Sequence, residues 1–501
     1  MHTTLFTSQR RLGLVIALVF GAILAGCSII PPATPTPAPF PTPSPITLPK
    51  GTAPIGLANP AATYCIEQGG RFEIQSPIEG GQVGVCLFAD GSLCEEWAFF
   101  RGECQPGQQY RYDQQPTGAP TATTITPLAE AFAAVRSSLP PDAFPALAAQ
   151  LLSTDDSRQL WLIYSVEMRN YDLDPLPSHL LAVYAYADGG WQELDRTDLR
   201  GLSGEVEIEP DFVGDVRQVQ ITPEHIWIQV DGGMGAHSGS YHLFSFDGHK
   251  LQLEVVSFSS YSWAGWVEDL NGDGLNEVVL NRSEPYIFCY ACGVYYPAYQ
   301  VYTWRNGELI RLEMSDLTDQ TAPFAALNHQ ALDFAHANLW PEALAAINAA
   351  VAQAGMLDPP TTAGSLRWNQ RLIQYMHEAH LTAINNSSYP LINEVFYGAY
   401  EQVVDRMRNY DPAEIFNSAS PLIIGTVAED WLMELSNYVT KSADQAATVM
   451  PDRAAIYVVR AWGRFLADPS DPAIGADLNR AAQLQPADAF FTALAAWWQR
   501  R

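Results

Sequence analysis

The sequence predicts a multidomain chain: a small disulfide-rich β domain, then a β-repeat domain, then an all-α helical-repeat domain. Three observations carry this expectation. Four cysteines crowd between residues 65 and 104, an aromatic strand–turn–strand pattern recurs at a spacing near 60 residues, and from about residue 323 the chain turns to Ala/Leu periodicity. At 501 residues the chain is also too long for one core.

The first element is a leader. Residues 1–27, "MHTTLFTSQRRLGLVIALVFGAILAGC", place Arg10 and Arg11 before an apolar run at 12–24. That run is short for a membrane span and right for a signal-peptide core. "LAGC" at 24–27 resembles the bacterial lipobox, and the resemblance implies that Cys27 carries lipid and becomes the mature N-terminus. Residues 28–58 form a tether, in which "PPATPTPAPFPTPSPITLP" alternates proline with small residues. Polyproline II at about 3.1 Å per residue would hold the rest of the chain roughly 60 Å from a bilayer. The expectation is an extracytoplasmic protein, lipid-anchored to a bacterial membrane at the cell surface. Its 27 basic and 55 acidic residues give a formal charge of −28. Phosphate backbones are repelled, so nucleic acid is not an expected partner, and the membrane link is expected to be the lipid on Cys27 alone.

Seven cysteines divide as one, four and two. Cys27 is assigned to lipid. Cys65, Cys86, Cys94 and Cys104 have 20, 7 and 9 residues between them, which misses the close pairs that zinc favours. Outside the cytoplasm an even number of cysteines in so small a segment reads as a disulfide framework, each bridge worth typically ~2–4 kcal/mol. Three connectivities are open. "NPAATYCIEQGGRFEI" and "GGQVGVCLFADGSLCEEWAFFRGEC" resemble a small secreted bacterial domain of unknown function that often carries a haemolysin label, matched from Asn59 to Cys104. A pore former needs long amphipathic strands or helices, and this segment has none. Gly80-Gly81 and Asp90-Gly91 read as hairpin turns in a β-rich fold occupying 59–104.

Residues 105–125 read as a second linker, followed by a β-repeat domain over 126–318 that opens with a helix at 126–152, broken at Pro140-Pro141. Three stretches then align: "LLAVYAYADGGWQELD", "YHLFSFDGHKLQLE" and "YQVYTWRNGELIRLE". Tyr186, Phe246 and Trp304 take equivalent places, 60 and 58 residues apart. An apolar strand precedes each: "QLWLIYSV", "HIWIQV" and "NEVVLN". About four strands per unit resembles propeller blades or a related β-repeat, expected as a three-unit or partial assembly.

The third unit holds "EDLNGDGLNEVVL". Asp269, Asn271, Asp273 and Glu277 fall at positions 1, 3, 5 and 9, and the Leu275 carbonyl completes an oxygen set for one hard cation. The motif is similar to the calcium loops of FG-GAP, integrin-type repeats, which link two strands. Calcium is therefore the expected cofactor. No flanking helix is predicted and position 12 is Leu280, which argues against an EF-hand. The same unit carries Cys289 and Cys292, whose aromatic, β-favouring surroundings point to a local disulfide rather than a redox dithiol. "DGGMGAHSGSYH" at 231–242 sits at the matching place in unit two. Its His237 and Ser238 are the residues an alternative hydrolase reading would use, but as chain neighbours in extended backbone they face opposite ways.

Residues 319–501 form the helical domain. "ALNHQALDFAHANLWPEALAAINAAVAQAG" turns at Asn338–Pro341 and "AIYVVRAWGRFLADPSDPAIGADLNRAAQLQPADAFF" at Asp468–Pro472. Both resemble tetratricopeptide repeats, with Ala343, Ala350, Ile474 and Ala481 at the close contacts, and such stacks commonly bind proteins. "HEAH" at 377–380 misses the His-Glu-x-x-His spacing of zincins. The functional expectation is a cell-envelope lipoprotein that acts as a binding or scaffold protein for other envelope or extracellular proteins, with a structural calcium site and no recognisable catalytic set.

Overall fold

Asn59 is the first described residue: its side chain accepts from the Ala61 amide at 3.0 Å, and Pro60 takes the first position of helix α1 (Pro60–Glu67). The computed structural model describes residues 59–75, 83–113, 128–154, 158–235, 238–261, 263–283, 288–289, 292–356 and 364–501. The predicted leader, Cys27 and the tether lie outside the described residues. After α1 comes an antiparallel three-stranded sheet, β1 (Arg71–Gln75), β2 (Val83–Leu87) and β3 (Leu93–Glu95), and then helix α2 (Glu96–Arg101). The head is therefore mixed α and β rather than β alone. Its helices are signalled by Asn-Pro at the first cap and by Glu95, whose carboxylate accepts from the Ala98 amide at 2.7 Å. Gly91, at φ +84°, makes the expected turn between β2 and β3, while Gly80-Gly81 lie outside the described residues.

Of the three open connectivities the head adopts Cys65–Cys86 and Cys94–Cys104, with Cα separations of 5.7 and 5.9 Å. The four cysteines and Phe99 are its fully enclosed core, flanked by Tyr64, Phe72 and Phe88. So small a core is the condition under which disulfides supply the missing stability.

The predicted linker holds a strand, β4 (Gln109–Asp113). The leading helix is present as α3 (Ala129–Ser138), but it does not resume after Pro140-Pro141. Residues predicted as its second half form strand β5 (Ala146–Leu152), between β4 and β6. Pro140, Pro141 and Pro145 withhold helical donors. Beyond them Leu147 and Ala149 face one core while Ala146 and Leu152 face another, the period of a strand.

The three aligned stretches are three antiparallel meanders. The first runs β5, β6 (Gln159–Met168), β7 (Leu180–Ala187) and β8 (Gly190–Asp198). A short hairpin, β9 (Gly201–Ser203) with β10 (Val206–Ile208), leads to the second: β11 (Phe212–Val219), β12 (Ile226–Met234), β13 (Ser238–Phe246) and β14 (Leu251–Ser259). The third is β15 (Gly265–Glu268), β16 (Glu277–Asn281), β17 (Tyr299–Arg305) and β18 (Glu308–Leu312). The predicted equivalents share one register: Tyr186 pairs with Trp191, Phe246 with Leu251 and Trp304 with Leu309.

Through β6 and β11, where Met168 pairs with Phe212 and Glu167 with Val213, the first two meanders join in one nine-stranded sheet that folds over on itself, and alternating side chains stack its two halves and the third sheet in layers. Leu162 and Val183 of the first half meet Ile228, Val230 and Phe244 of the second. The other face of the second half, with Trp227, Tyr241 and Leu243, meets Val278 and Leu280 of the third sheet. Val279 and Val301 on the third sheet's far face pack with Leu372 of a long helix, and α3 covers the outer face of the first half. The three-unit assembly stays open: among the described residues the sheets form no closed barrel or propeller. Helices cover both ends of the stack, so neither outer sheet has a free face with which to complete a ring.

The helical part comprises α4 (Ala325–His336), α5 (Trp340–Gly355), α6 (Gly364–Asn386), α7 (Pro390–Tyr397), α8 (Tyr400–Met407), α9 (Pro412–Ile415), α10 (Leu432–Val449), α11 (Ala454–Ala467), α12 (Pro472–Leu484) and α13 (Ala489–Trp498). Both predicted turns are present: Asn338, at φ 58°, separates α4 from α5, and Asp471 caps α12 through the Ala473 amide. Ala343, Ala350, Ile474 and Ala481 are buried at helix contacts. No described helix is long and apolar enough to cross a membrane.

Candidate functional site

The loop between β15 and β16 gathers the predicted cation ligands. Its Asn-Gly-Asp-Gly core folds around Asp269, whose carboxylate accepts from the amides of Gly272 (2.7 Å), Asp273 (3.2 Å) and Gly274 (2.9 Å). Gly272 at φ +76° and Gly274 at φ +87° supply the left-handed backbone this turn needs. The Asn271 amide group donates to Asp273 at 3.0 Å and to Glu277 at 3.4 Å. Leu275 joins through its backbone, its amide donating to Asp273 Oδ1 at 2.9 Å. Glu277 is 2% exposed, and its carboxylate also accepts from the Leu270 amide at 3.1 Å. Burial pushes this carboxyl up to about 7, and the charges of Asp273 and Asp269 add to the rise.

Asp269, Asn271, Asp273, Leu275 and Glu277 thus belong to one hydrogen-bonded loop. As it stands, the loop's own amides take up its acidic oxygens. Among the described residues no three His, Cys, Asp or Glu side chains are grouped to share a metal ion. The donor set itself, hard oxygens alone, suits a hard cation rather than zinc or copper.

Two ties fix the loop to its surroundings, and neither was visible in the sequence. Asn276 donates to the Gln220 carbonyl on the β11–β12 connection at 2.5 Å. Beside the loop, Tyr375 of α6 donates to Glu268 at 3.5 Å and packs edge-on against Tyr299.

The head supplies a second candidate, and its signature residues are structural. Asn59 caps α1 and donates to the buried Glu96 at 2.9 Å. A Cβ on Gly70 would collide with the Cys86 sulfur, and one on Gly84 with the Glu96 carboxylate. Asp90 accepts from Ser92, whose hydroxyl takes the Gly107 amide at 2.7 Å. Trp97 and Phe100 are the exposed exceptions. Residues 56–103 match the model of a domain of unknown function, DUF333. No curated protein and no solved structure matches the chain. The DUF333 match covers the head and does not extend into the layered sheets or the helices.

The remaining sequence candidates separate. Ser238 opens β13, opposite Met234, while His237 lies outside the described residues. Cys289 and Cys292 form the expected disulfide. It is a wedge into the helical core: Phe288 and Cys292 join the cluster of α7, α8 and α10, and Ser388 hydrogen-bonds to the Cys292 carbonyl. The histidines of "HEAH" part ways. His377 meets the Tyr397 hydroxyl at 2.7 Å, whereas His380 is 1% exposed, stacks on Trp340 and is held down to about 4 by burial. A Ser–His pair that no motif announced is Ser165 with His179, at 2.9 Å. Both are fully buried, and the serine oxygen already accepts from the Leu180 amide. A substrate has no route to them.

Proposed function

We propose that this chain is a lipid-anchored, extracytoplasmic binding or scaffold protein in which calcium fastens the third meander to its neighbours. The lipobox-like "LAGC", the proline-rich tether and the −28 charge support the location. The observation that carries the calcium reading is the gathering of Asp269, Asn271, Asp273 and Glu277 in one hairpin loop. There the Asn271 amide group stands between two carboxylates that a cation would neutralise. The likeness of that loop to FG-GAP repeats, and of the helix pairs to tetratricopeptide units, supports recognition rather than chemistry. The partners of such a surface are other envelope or extracellular proteins, while the membrane is met through lipid on Cys27. A hydrolase working through Ser238 and His237 gains no support from any contact of Ser238.

Thermal unfolding of the full-length protein tests the calcium reading. Outside a cell calcium is near millimolar, and a site with Kd of about 10⁻⁴ M then contributes about 1.4 kcal/mol. The expected result is a melting temperature several degrees higher in 1 mM calcium than in chelator, with the rise abolished by Asp269→Ala and by Asp273→Ala. A wild-type protein indifferent to calcium overturns the reading.

A further inference from the structure

Between the first and second meanders the chain makes a short excursion, the β9–β10 hairpin, whose strands pair only with each other. Leu202 and Val206 on it are 68% and 61% exposed, and of its six paired residues only Ile208 is buried. A lone two-stranded hairpin is marginally stable in water, so this one is held by what lies beneath it and at its foot. Gly201 rests on Leu253 and Val256 of β14, so near that a Cβ there would meet Leu253 at 2.6 Å.

Two buried imidazoles secure it. His179 holds both ends of the foot: its carbonyl accepts from the Leu199 amide at 2.9 Å, and its Nε2 donates to the Asp211 carbonyl at 3.3 Å. A carbonyl can only accept, which puts the ring proton on Nε2 and leaves Nδ1 to accept from the Ser165 hydroxyl. His242, on β13, stacks on Phe244 and points between the two halves of the folded sheet. It is fully buried, and among the described residues neither of its ring nitrogens has a hydrogen-bond partner. Such atoms are rare and costly in a protein interior.

The charged groups around these rings lie elsewhere or are bound to one another. On the hairpin Arg200 is paired with Asp198, and Glu205 and Glu207 are exposed. Asp231 on β12 pairs with Tyr241, on the face turned away from His242, and Glu254 on β14 bonds to Ser245 on that same far face. Beside His179, Arg169 binds Asp211 at 2.8 Å and Glu209 at 3.2 Å. Burial holds both imidazoles down to about 4. The backbone of Leu199 and Ile208 opposes it at His242, Asp211 and Ser165 oppose it at His179, and the Arg169 charge adds to it there.

We propose that residues 199–209 form an acid-released flap: protons taken up by His242 and His179 free the β9–β10 hairpin and uncover Leu253 and Val256 beneath it. The flap needs neither calcium nor the lipid anchor. With it closed both rings stay neutral down to about pH 4, and once released they titrate near the ordinary ~6.5. Closure is therefore at full strength above about pH 7 and weakens as pH falls from about 6.5 toward 4. From pH 7.5 to pH 5.0 release becomes roughly tenfold or more favourable for each histidine. Acid would thus change the surface that the second meander presents to a partner.

Hydrogen exchange of the full-length protein, read by mass spectrometry at pH 7.5 and pH 5.0, tests this. Rates are expressed as protection factors, which removes the intrinsic pH dependence of amide exchange. Peptides spanning 199–209 are expected to lose protection at least tenfold at pH 5.0, while β6 and β12 keep theirs. His242→Phe, which keeps a ring on Phe244, should cut that loss several-fold. Adding His179→Gln, which keeps a donor for the Asp211 carbonyl, should remove most of the rest. If the double variant does not accumulate, the wild type and His242→Phe still decide. Equal loss of protection in β6, β12 and the hairpin would mean that acid loosens the whole sandwich, and overturns the flap. Unchanged protection at 199–209 overturns it too, and so does a hairpin that acid releases as readily in His242→Phe as in the wild type.

Discussion

The second and third meanders follow one strand plan and are held by different means. Their hairpins close on equivalent pairs, Phe246 with Leu251 and Trp304 with Leu309. The strands of the second are 8 or 9 residues long and bury apolar side chains on both faces, toward the first meander and toward the third. The strands of the third are 4 to 7 residues long, and β16 alone is buried along its whole length. Local fastenings stand in for area there: the carboxylate loop before β16 and the Cys289–Cys292 bridge after it. The first and second meanders also share a register shift, at Val183/Tyr184 and Leu243/Phe244, which the third lacks. One repeat sets the order of strands, and each copy then settles its own way of staying folded.

The largest expected effect lies in the second meander. Phe244 is 1% exposed between the first two meanders, and Phe244→Ala should cost about 3–5 kcal/mol, the usual range for a buried aromatic. Chemical denaturation should show that loss undiminished by chelator. If the alanine variant does not accumulate, Phe244→Leu should give a smaller loss in the same assay. In the third meander, replacing both Cys289 and Cys292 by alanine removes a bridge with a sequence separation of 3. Loop-closure entropy for so short a ring gives about 2 kcal/mol. A bridge loss as large as the Phe244→Ala loss would break the comparison, because the third sheet would then depend on its staple as heavily as the second depends on its core.

How far the sequence revealed this depends on whether a feature is local. The three hairpins were legible because Asp188-Gly189 and Asn306-Gly307 adopt positive φ in two-residue turns, Gly248 does so in the four-residue turn of the second, and the flanking strands alternate. The four head cysteines were legible as a framework, but their pairing was not, since it depends on how α1 crosses β2. Strand β5 misled because "ALAAQLL" is a sound helical string, and only its two neighbouring strands make it extended. The oxygen-bearing residues of the β15–β16 loop alternate over positions 269–277 and were readable, while the grip of Asn276 on Gln220 spans 56 residues and left no trace. Stacking of the sheets in layers, in place of closure, was decided by which element covers each outer face, and a repeat read along the chain does not contain that information.

The last expected effect separates the two meanders by pH. Asp231, on β12, sits opposite both Asp215 and Tyr241 in the sheet, and its carboxylate takes a 2.7 Å hydrogen bond from Gln229, itself fully buried. Burial raises Asp231 to about 7, the nearby Asp215 charge adds to the rise, and the Gln229 donor and Arg217 oppose it. In the unfolded chain an aspartate titrates near ~3.9. Between about pH 4 and pH 7 the folded protein therefore holds a proton that the unfolded chain has released, so this residue makes stability fall as pH rises through that window. Above about 7 both states are ionised and the penalty is constant. Asparagine at this position still accepts from Gln229 and cannot ionise. Relative to wild type, Asp231→Asn should therefore gain stability on going from pH 4.5 to pH 8, measured as the difference between the two melting temperatures at each pH in chelator. Taking that difference cancels the contribution of Glu277 in the third meander, which is common to both proteins. A difference that stays flat across the range would mean that Asp231 titrates as an exposed carboxylate. The second meander would then hold its polar residues as loosely as the third.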